Sequence, residues 1–396
     1  MVIFLLILMV FLAMSPILFS FHRKVKHKKL LFFTVILLNL QPLGTIIVPA
    51  FFAPDLFNGA MFNYLLIALI YYLLVFLFYW ISISFIPTNI PTNIPTNIQF
   101  LTKRNKITII VFLSAIFFFS ILVAHSNGIF LTNPRLGYQA YREGFGVIWV
   151  LYILSVSILF YFIAIKREIN LKKVLFFALL MFFTGSKGLI LQVFLKSFLV
   201  YIWIGKRIKK RYVLLMALVL VALMLKLFGQ FGAEKDFSSR ANTYFDYMNQ
   251  ANKVFQEYEA GQLEHTYGSI SLGAFWTYVP RAIYPNKPFV YGYTSLVGKY
   301  YPGLAERGHT PSFGRFTHEF VDFGWFAPLF TLILSPGIMI GILSLVILIT
   351  NANVSRRWRV GSILLILAPG FGFHLPIIFT FFVAFILVPS LTKINK

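Results

Sequence analysis

The sequence is dominated by long apolar runs, each near the length that crosses a lipid bilayer, and this limits the folds open to the chain. Runs at 2–21, 30–50, 61–86, 107–124 and 147–165 alternate with short basic segments. About 20 apolar residues span the hydrocarbon core, where only helices and closed barrels satisfy the backbone polar groups. A soluble core explains one or two such runs, but not a series of them. We therefore predict an all-α, polytopic integral membrane protein with about 11–12 transmembrane helices.

Composition and charge placement agree with this prediction. The 396 residues are 59% hydrophobic, and their mean hydropathy is +0.81. The net charge of +23 comes mainly from clusters between apolar runs, as in cytoplasmic loops, so nucleic-acid binding is not expected. The chain has no Cys, which excludes disulfides and thiolate metal sites. The clusters are HRKVKHKK (22–29), KRNK (103–106), KREINLKK (166–173), GKRIKKR (205–211) and RRWR (356–359).

The acidic residues mark one segment as lying on the other side of the membrane. Nine of the 12 acidic residues lie between Glu234 and Asp322, where eight Lys or Arg leave the segment nearly neutral. We interpret 230–322 as a large extracytoplasmic loop. It separates an N-terminal transmembrane helix bundle, 1–229, from C-terminal transmembrane helices, 323–396.

Three segments depart from the simple alternation of apolar runs and basic loops. PTNIPTNIPTNI (87–98) has Pro at every fourth residue, which blocks helix and sheet, so we interpret it as an inert linker. TGSKG (184–188) divides about 30 apolar residues and predicts two short helices or a re-entrant hairpin, with Lys187 held in protein near the outer face. Residues 238–262 have apolar side chains at helical spacing and predict an amphipathic helix, either on the membrane surface or packed within the protein.

Two loop motifs carry polar residues suited to catalysis. PRAIYPNKP (280–288) places Arg281 and Lys287 on either side of a proline-stiffened turn, and FTHEFVDFGW (316–325) places His318 and Glu319 before an apolar run expected to start at Gly324. A carboxylate buried at that boundary has its pKa raised, and His titrates near about 6.5, so either suits a general base. HEFVD is not the HExxH zinc motif, because Asp322 replaces the second His, and no metal is expected.

These motifs resemble the large outer loop of Wzy-type O-antigen and capsule repeat-unit polymerases, which have a Pro-Arg, a Pro-x-Lys-Pro and a Glu shortly before Phe-Gly. TGSKG is similar to a Gly-Ser-Arg-Gly or Thr-x-Ser-Arg element of these polymerases and of the related O-antigen ligases, with Lys187 in place of the usual Arg. The resemblance implies a glycosyltransferase in the bacterial inner membrane with an extracytoplasmic active face. It would transfer a growing glycan from undecaprenyl diphosphate to the non-reducing end of an acceptor repeat unit, without a cofactor. Its implied partners are the lipid-linked donor and acceptor, the bilayer, and a chain-length regulator and flippase of the same pathway.

Roles for individual residues follow from that resemblance. Glu319, or its neighbour His318, would act as the base on the acceptor hydroxyl. Cations would bind the leaving diphosphate, and aromatic rings would stack on sugars, although ion pairs with the loop acids and an interfacial aromatic belt are the alternatives. The cations are Arg281, Lys287, Lys187, Arg135 and Arg315, and the aromatic residues are Trp276, Tyr284 and Tyr291.

Two other functions stay open at this point. An O-antigen ligase, which transfers a finished glycan, would share these motifs. A transporter or lipid-linked sugar flippase would have inverted repeats and ionisable residues at mid-membrane. The sequence contains no internal repeat of that kind, and only Lys196 and Lys226 lie well inside apolar runs.

Overall fold

The computed structural model is predominantly helical, in agreement with the predicted class. It describes residues 1–22, 59–85, 98–100, 146–165, 168–203, 247–279, 284–304, 312–314, 316–334, 356–367 and 392–394, with a few single residues and short pieces between them. The helices are α1 (Val2–His22), α2 (Met61–Phe85), α3 (Gly146–Ile165), α4 (Leu171–Phe182), α5 (Lys187–Trp203), α6 (Tyr247–Glu259), α7 (Ser269–Gly273), α8 (Ser295–Tyr300), α9 (Thr317–Phe323), α10 (Ala327–Leu334) and α11 (Arg356–Leu367). In these described ranges, 3₁₀ segments lie at Ala274–Tyr278, Gly292–Thr294 and Gly324–Phe326.

Helix α2 is apolar around its whole circumference. Within the described residues it contains the one stretch, Met61–Ser82, that is long and apolar enough to cross a membrane. One side buries tyrosines such as Tyr64 and Tyr71, while Leu73 and Leu77 on the other side are exposed. Exposed leucines on a helix of this length are expected where the surroundings are lipid rather than water.

The chain forms two compact units, each assembled from segments that are distant in sequence. The first comprises Met1–Arg23, Val35–Ile81 and Glu234–Met339, and the second comprises Lys24–Thr34, Ser82–Ala233 and Ile340–Lys396. The three sequence segments expected from the membrane topology, 1–229, 230–322 and 323–396, stay a prediction.

An aromatic cluster joins α6 and α9 to α2 in the first unit. The Phe255 ring of α6 stacks on Phe320 of α9 at 4.5 Å between centroids. Tyr64 of α2 meets Phe255 edge-on at 5.7 Å, and Tyr71 lies 5.2 Å from Phe316. The predicted amphipathic helix is thus confirmed over Tyr247–Glu259, and its apolar face packs within the protein.

The opposite side of α6 fixes α8 through polar contacts. Lys299 of α8 forms a 2.6 Å ion pair with Glu257, and Lys253 donates to the Tyr301 hydroxyl at 2.5 Å. Burial, together with the neighbouring Glu257 carboxylate, raises the pKa of the Tyr300 phenol, so this hydroxyl stays protonated at neutral pH. Below these contacts lies an apolar core that joins α6 to α9, formed by Val254, Ile270, Leu296, Val297, Phe313 and Val321.

In the second unit, TGSKG is the turn between α4 and α5, which confirms the predicted pair of short helices. The Thr184 hydroxyl donates to Met181 O at 2.5 Å and accepts from Ser186 N at 3.3 Å. Trp149 of α3 donates to Thr184 O at 3.3 Å. Thr184 is fully buried, so this break in the helices obtains its hydrogen bonds from protein, as the predicted position within a bilayer would require.

Lys196, the basic residue inside the apolar run of α5, has a structural role in the second unit. Its ammonium donates to Ile366 O at 2.5 Å and to Leu365 O at 3.4 Å. These carbonyls end α11, where a helix has unsatisfied acceptors and negative partial charge. Lys196 therefore stabilises a helix end, which gives no support to a transport role.

A short antiparallel ladder is also present, in which Ile98–Phe100 pairs with Thr392–Ile394. Ile98 is the last residue of the PTNI repeat, so strand pairing begins where the regular prolines end. The predicted topology places both segments on the cytoplasmic side, and their pairing is compatible with that prediction.

The close approach of two backbone segments around Gly292 gives the first testable prediction. A Cβ on Gly292 would lie 2.7 Å from Ala274 Cα, and the residue has φ +54°. Gly292→Ala should therefore destabilise the protein by about 1–3 kcal/mol beyond the backbone strain alone. Thermal unfolding in detergent measures the effect.

Gly303→Ala is the matched control for Gly292→Ala. Gly303 has φ +77° but open space around the added methyl group, so it carries the backbone strain without the clash. Equal melting temperatures for the two variants would contradict the prediction, because they would mean that the backbones at Gly292 and Ala274 lie far enough apart to accommodate a methyl group.

Candidate functional site

Helix α9 brings the predicted catalytic residues into the interior of the first unit. It is seven residues long, and every residue from Thr317 to Asp322 is buried. His318 and Glu319 are 8% and 7% exposed. The His318 ring faces Phe313 edge-on at 6.0 Å between centroids. Both candidate bases thus occupy a largely dehydrated position.

Gly324 turns the chain sharply after α9. Its φ of 56° and ψ of −134° are open to glycine alone, and a Cβ there would lie 3.4 Å from the His265 imidazole. A 3₁₀ turn follows, and α10 starts at Ala327. The helix predicted to start at Gly324 therefore starts three residues later, because Gly324 forms the corner that separates it from α9.

The Asp322 carboxylate, fully buried, fastens α9 to the start of α7. Its Oδ1 accepts from Thr266 Oγ1 at 2.5 Å and from Ile270 N at 3.0 Å. Its Oδ2 accepts from Ser271 N at 2.7 Å and from Ser271 Oγ at 2.6 Å. Ile270 and Ser271 lie in the first turn of α7, so Asp322 supplies the cap that Gly268 has no side chain to provide.

The turn before α7 is held by the end of α9 as well. Val321 O accepts from Thr266 N at 3.0 Å and from His265 Nδ1 at 3.1 Å. These bonds precede Tyr267, whose φ of +48° is in the left-handed region that costs a non-glycine residue about 1–2 kcal/mol. The bonds on both sides of Tyr267 offset this strain, and His265 accordingly has a structural role.

The three predicted sugar-binding residues lie in the segment that follows α7. Trp276 and Tyr284 stack on one another, with ring centroids 5.4 Å apart and an angle of 26° between the planes. Tyr284 is exposed and Trp276 is half-buried, so the pair presents aromatic surface. The Tyr291 ring lies beneath the Lys287 ammonium, 4.5 Å from centroid to Nζ.

Lys287 is a brace within this segment. Its side chain is buried, and Nζ donates to Val279 O at 3.0 Å while it faces the Tyr291 ring. Val279 immediately precedes the Pro-Arg pair of the loop motif. Lys287 thus fixes the two ends of that motif relative to each other, and its predicted contact with a diphosphate stays a prediction.

The remaining predicted cations are distributed differently. Lys187 is the first residue of α5, in the second unit, and its predicted contact with a diphosphate stays a prediction. Arg281, Arg135 and Arg315 lie outside the described residues. Within the part of the chain that is described, no group of three or more His, Asp or Glu side chains is placed to hold a metal ion.

The sequence prediction missed the residues that organise this site. The sequence motif gives Asp322 no role beyond replacing the second His of a zinc motif, and it gives no role to Thr266 or Ser271. The sequence signal for this role is the position of Asp322, four residues after His318 and two before Gly324. A carboxylate that is buried at such a position needs hydrogen-bond donors around it.

Comparison with known proteins shows which proteins this chain resembles in sequence. The chain is 26% identical over 240 residues to proteins named O-antigen polymerase from Salmonella typhimurium (strain LT2) and from Salmonella typhi. The aligned region is 59% of this chain and 57% of each of those proteins, so the chain spans little more than half of their length. No family model and no solved structure matches the chain. The similarity confirms the resemblance to O-antigen polymerases that the loop motifs indicated.

The Lys287 contacts lead to a prediction that separates a brace from a phosphate ligand. Lys287→Met should destabilise the protein by about 1.5–3 kcal/mol, because Val279 O loses a buried, charged donor. Lys299→Met is the control, since it removes a solvent-accessible ion pair worth about 0–1 kcal/mol. Thermal unfolding gives both values, and an inactive Lys287→Met protein of unchanged stability would show that Lys287 is a substrate ligand instead of a brace.

Proposed function

We propose that this chain is a membrane-embedded polymerase of lipid-linked oligosaccharide repeat units in O-antigen or capsule synthesis. In each reaction the acceptor hydroxyl loses its proton to a base, and its oxygen forms a bond to the anomeric carbon of the donor. The bond between that carbon and the diphosphate oxygen breaks, and the electron pair leaves with undecaprenyl diphosphate. The growing glycan is thereby joined to the non-reducing end of the acceptor repeat unit.

The observation that carries this proposal is the burial of Glu319 and His318 on α9, in a chain similar to O-antigen polymerases. Glu319 is the proposed base, because it holds the Glu position before Phe-Gly in the family-like motif. A base in a dehydrated site works without competition from bulk water, and general base catalysis is worth about 10²- to 10⁴-fold in rate. His318, on the same buried turn, is the alternative base.

Cations stabilise the charge that develops on the diphosphate as the bond breaks. Arg281 is the leading candidate, because its guanidinium offers two parallel donors to phosphate oxygens and it lies inside the segment that Lys287 closes. Lys187, Arg135 and Arg315 are the further proposed ligands. Because Lys187 carries an ammonium where the family has guanidinium, it would act as a single point charge.

The stacked Trp276 and Tyr284 rings are the proposed surface for sugars. Pyranose rings have apolar faces that pack on aromatic rings, and a preformed aromatic pair costs little entropy on binding. Tyr291 lies in the same segment, at the start of the 3₁₀ turn Gly292–Thr294. The donor and acceptor are both lipid-linked, so this surface belongs at the membrane boundary.

The proposed setting is the bacterial inner membrane, with several helices crossing it and residues 230–322 outside the cytoplasm. The membrane-spanning length of the apolar stretch Met61–Ser82, the other apolar runs of the sequence and the basic clusters between them support it. A chain-length regulator and a flippase of the same pathway are the proposed partners.

Cysteine labelling tests the orientation. The chain has no Cys, and Ser269 is an exposed position at the start of α7, so Ser269→Cys introduces one accessible thiol. A membrane-impermeant maleimide should label this variant in intact cells with the outer membrane made permeable. Cys at Asn170, an exposed residue of the basic segment 166–173, is the matched internal position. Labelling of Ser269→Cys only after lysis would reverse the proposed topology.

Complementation of a deletion strain tests the reaction and the base together. Loss of the gene should collapse the ladder of surface-glycan lengths to a single repeat, and the wild-type gene should restore it. Glu319→Gln keeps the size and hydrogen-bonding capacity of the side chain but cannot take up a proton, so the ladder should not return. With purified protein and lipid-linked repeat units, the rate should fall about 10²- to 10⁴-fold.

Two variants complete that experiment. Glu264→Gln makes the same change at an exposed position of the same segment and should polymerise normally. His318→Ala should lose less activity than Glu319→Gln, and the reverse order would make His318 the base. A deletion strain that accumulates long, lipid-linked glycan would identify a ligase, and one that retains unpolymerised repeat units inside the cell would identify a transporter.

A further inference from the structure

The Asp322 carboxylate has no part in the reaction proposed above, although it lies on the same short helix as the proposed base. It is fully buried and accepts four hydrogen bonds from three residues, Thr266, Ile270 and Ser271. So many partners for one side chain indicate a specific role, because burying a charge is costly unless every lone pair has a donor.

A continuous helical path connects Asp322 to the aromatic surface. Ser271 lies in α7, which ends at Gly273 and passes directly into the 3₁₀ turn that carries Trp276. The same stretch packs against the 3₁₀ segment Gly292–Thr294, where the Gly292 backbone lies close to Ala274. The stretch from Ser271 to Trp276 is therefore one unbroken helical path, and Asp322 bonds to its first turn.

We propose that Asp322 is a positioning residue that sets the placement of Trp276 relative to Glu319. This inference rests on the proposed function. Asp322 comes three residues after Glu319 on α9, so a single carboxylate joins the helix that carries the base to α7, which continues into the 3₁₀ segment that carries the Trp276 ring. The acceptor sugar would be held by one helix while its hydroxyl is deprotonated by a residue of the other.

The chemistry of the contacts requires Asp at this position. All four partners donate, so Asn would direct an amide NH₂ group at donors on one side of the carboxyl group. Glu would move the carboxylate by one methylene group, and the first turn of α7 would have to follow it. Asp322→Asn is also a folding risk, so the better test weakens the contact from the other partner.

Ser271→Ala removes one donor to Asp322 and leaves the carboxylate and its other three bonds in place. Ser269→Ala is the matched control, an exposed serine two residues earlier in α7. The hydrogen bonds to Asp322 come from Thr266, Ile270 and Ser271, so this change leaves them intact. Ser271→Thr retains the hydroxyl group. The measurement is kcat and KM for the acceptor repeat unit, with each protein normalised to its folded fraction and its melting temperature recorded.

We expect Ser271→Ala to lower kcat/KM about 10-fold, because a shift of a fraction of an ångström between reacting groups costs this much, whereas Ser269→Ala and Ser271→Thr stay within about 2-fold of wild type. The decisive variant is the double substitution with Trp276→Ala. If Asp322 acts by placing Trp276, Ser271→Ala should have almost no further effect once the ring is gone.

The outcomes separate this inference from the function on which it rests. A full 10-fold effect of Ser271→Ala in the Trp276→Ala background would mean that Asp322 only stabilises the fold, and the inference would be wrong. Normal activity of Ser271→Ala, or of Trp276→Ala alone, would also overturn it while leaving the polymerase intact. A wild-type protein that extends no glycan would refute the proposed function, and the inference about Asp322 would then be wrong as well.

Discussion

Helix ends inside an apolar protein need hydrogen-bond partners, and in the part of the chain that the structure describes several polar side chains supply them. Each helix has donors at its first turn and acceptors at its last turn that no helical residue can satisfy. Asp322 satisfies the start of α7, and Lys196 satisfies the end of α11. His265 and Thr266 satisfy Val321 O near the end of α9, and Trp149 satisfies the turn after α4. The short helices of both units depend on these bonds, because none is long enough to be stable alone.

This requirement divides the polar residues near α9 into two groups. Asp322, His265 and Lys287 contact backbone groups and fix the positions of the elements around them. Glu319 and His318 are carried on the helix that these residues hold, and they are buried side by side. Helix α9 is held by polar contacts and by aromatic contacts, so the proposed base has little freedom to move. Efficient proton transfer needs a base in a fixed position.

The similarity to O-antigen polymerases and the geometry of the first unit support the same proposal from different directions. The similarity covers part of each chain and indicates a family, whereas the geometry relates individual residues to chemical steps. The sequence predicts Trp276 and Tyr284 as separate sugar ligands, and the structure stacks them as a pair. The sequence predicts Lys287 as a phosphate ligand, and in the structure Lys287 contacts a backbone carbonyl and an aromatic ring.

The sequence alone predicts the helical class, an amphipathic helix within 238–262, a pair of short helices around TGSKG, and the motif that contains Glu319. Those features depend on local periods and on residue types, such as apolar residues at helical spacing and a Gly at a helix break. The packing of the helices, in contrast, sets the contact of Asp322 with the start of α7, the start of α10 after the Gly324 corner, and the close approach of Gly292 to Ala274. These contacts join residues up to about 50 positions apart, and such a pairing depends on how the helices pack, which no local pattern specifies.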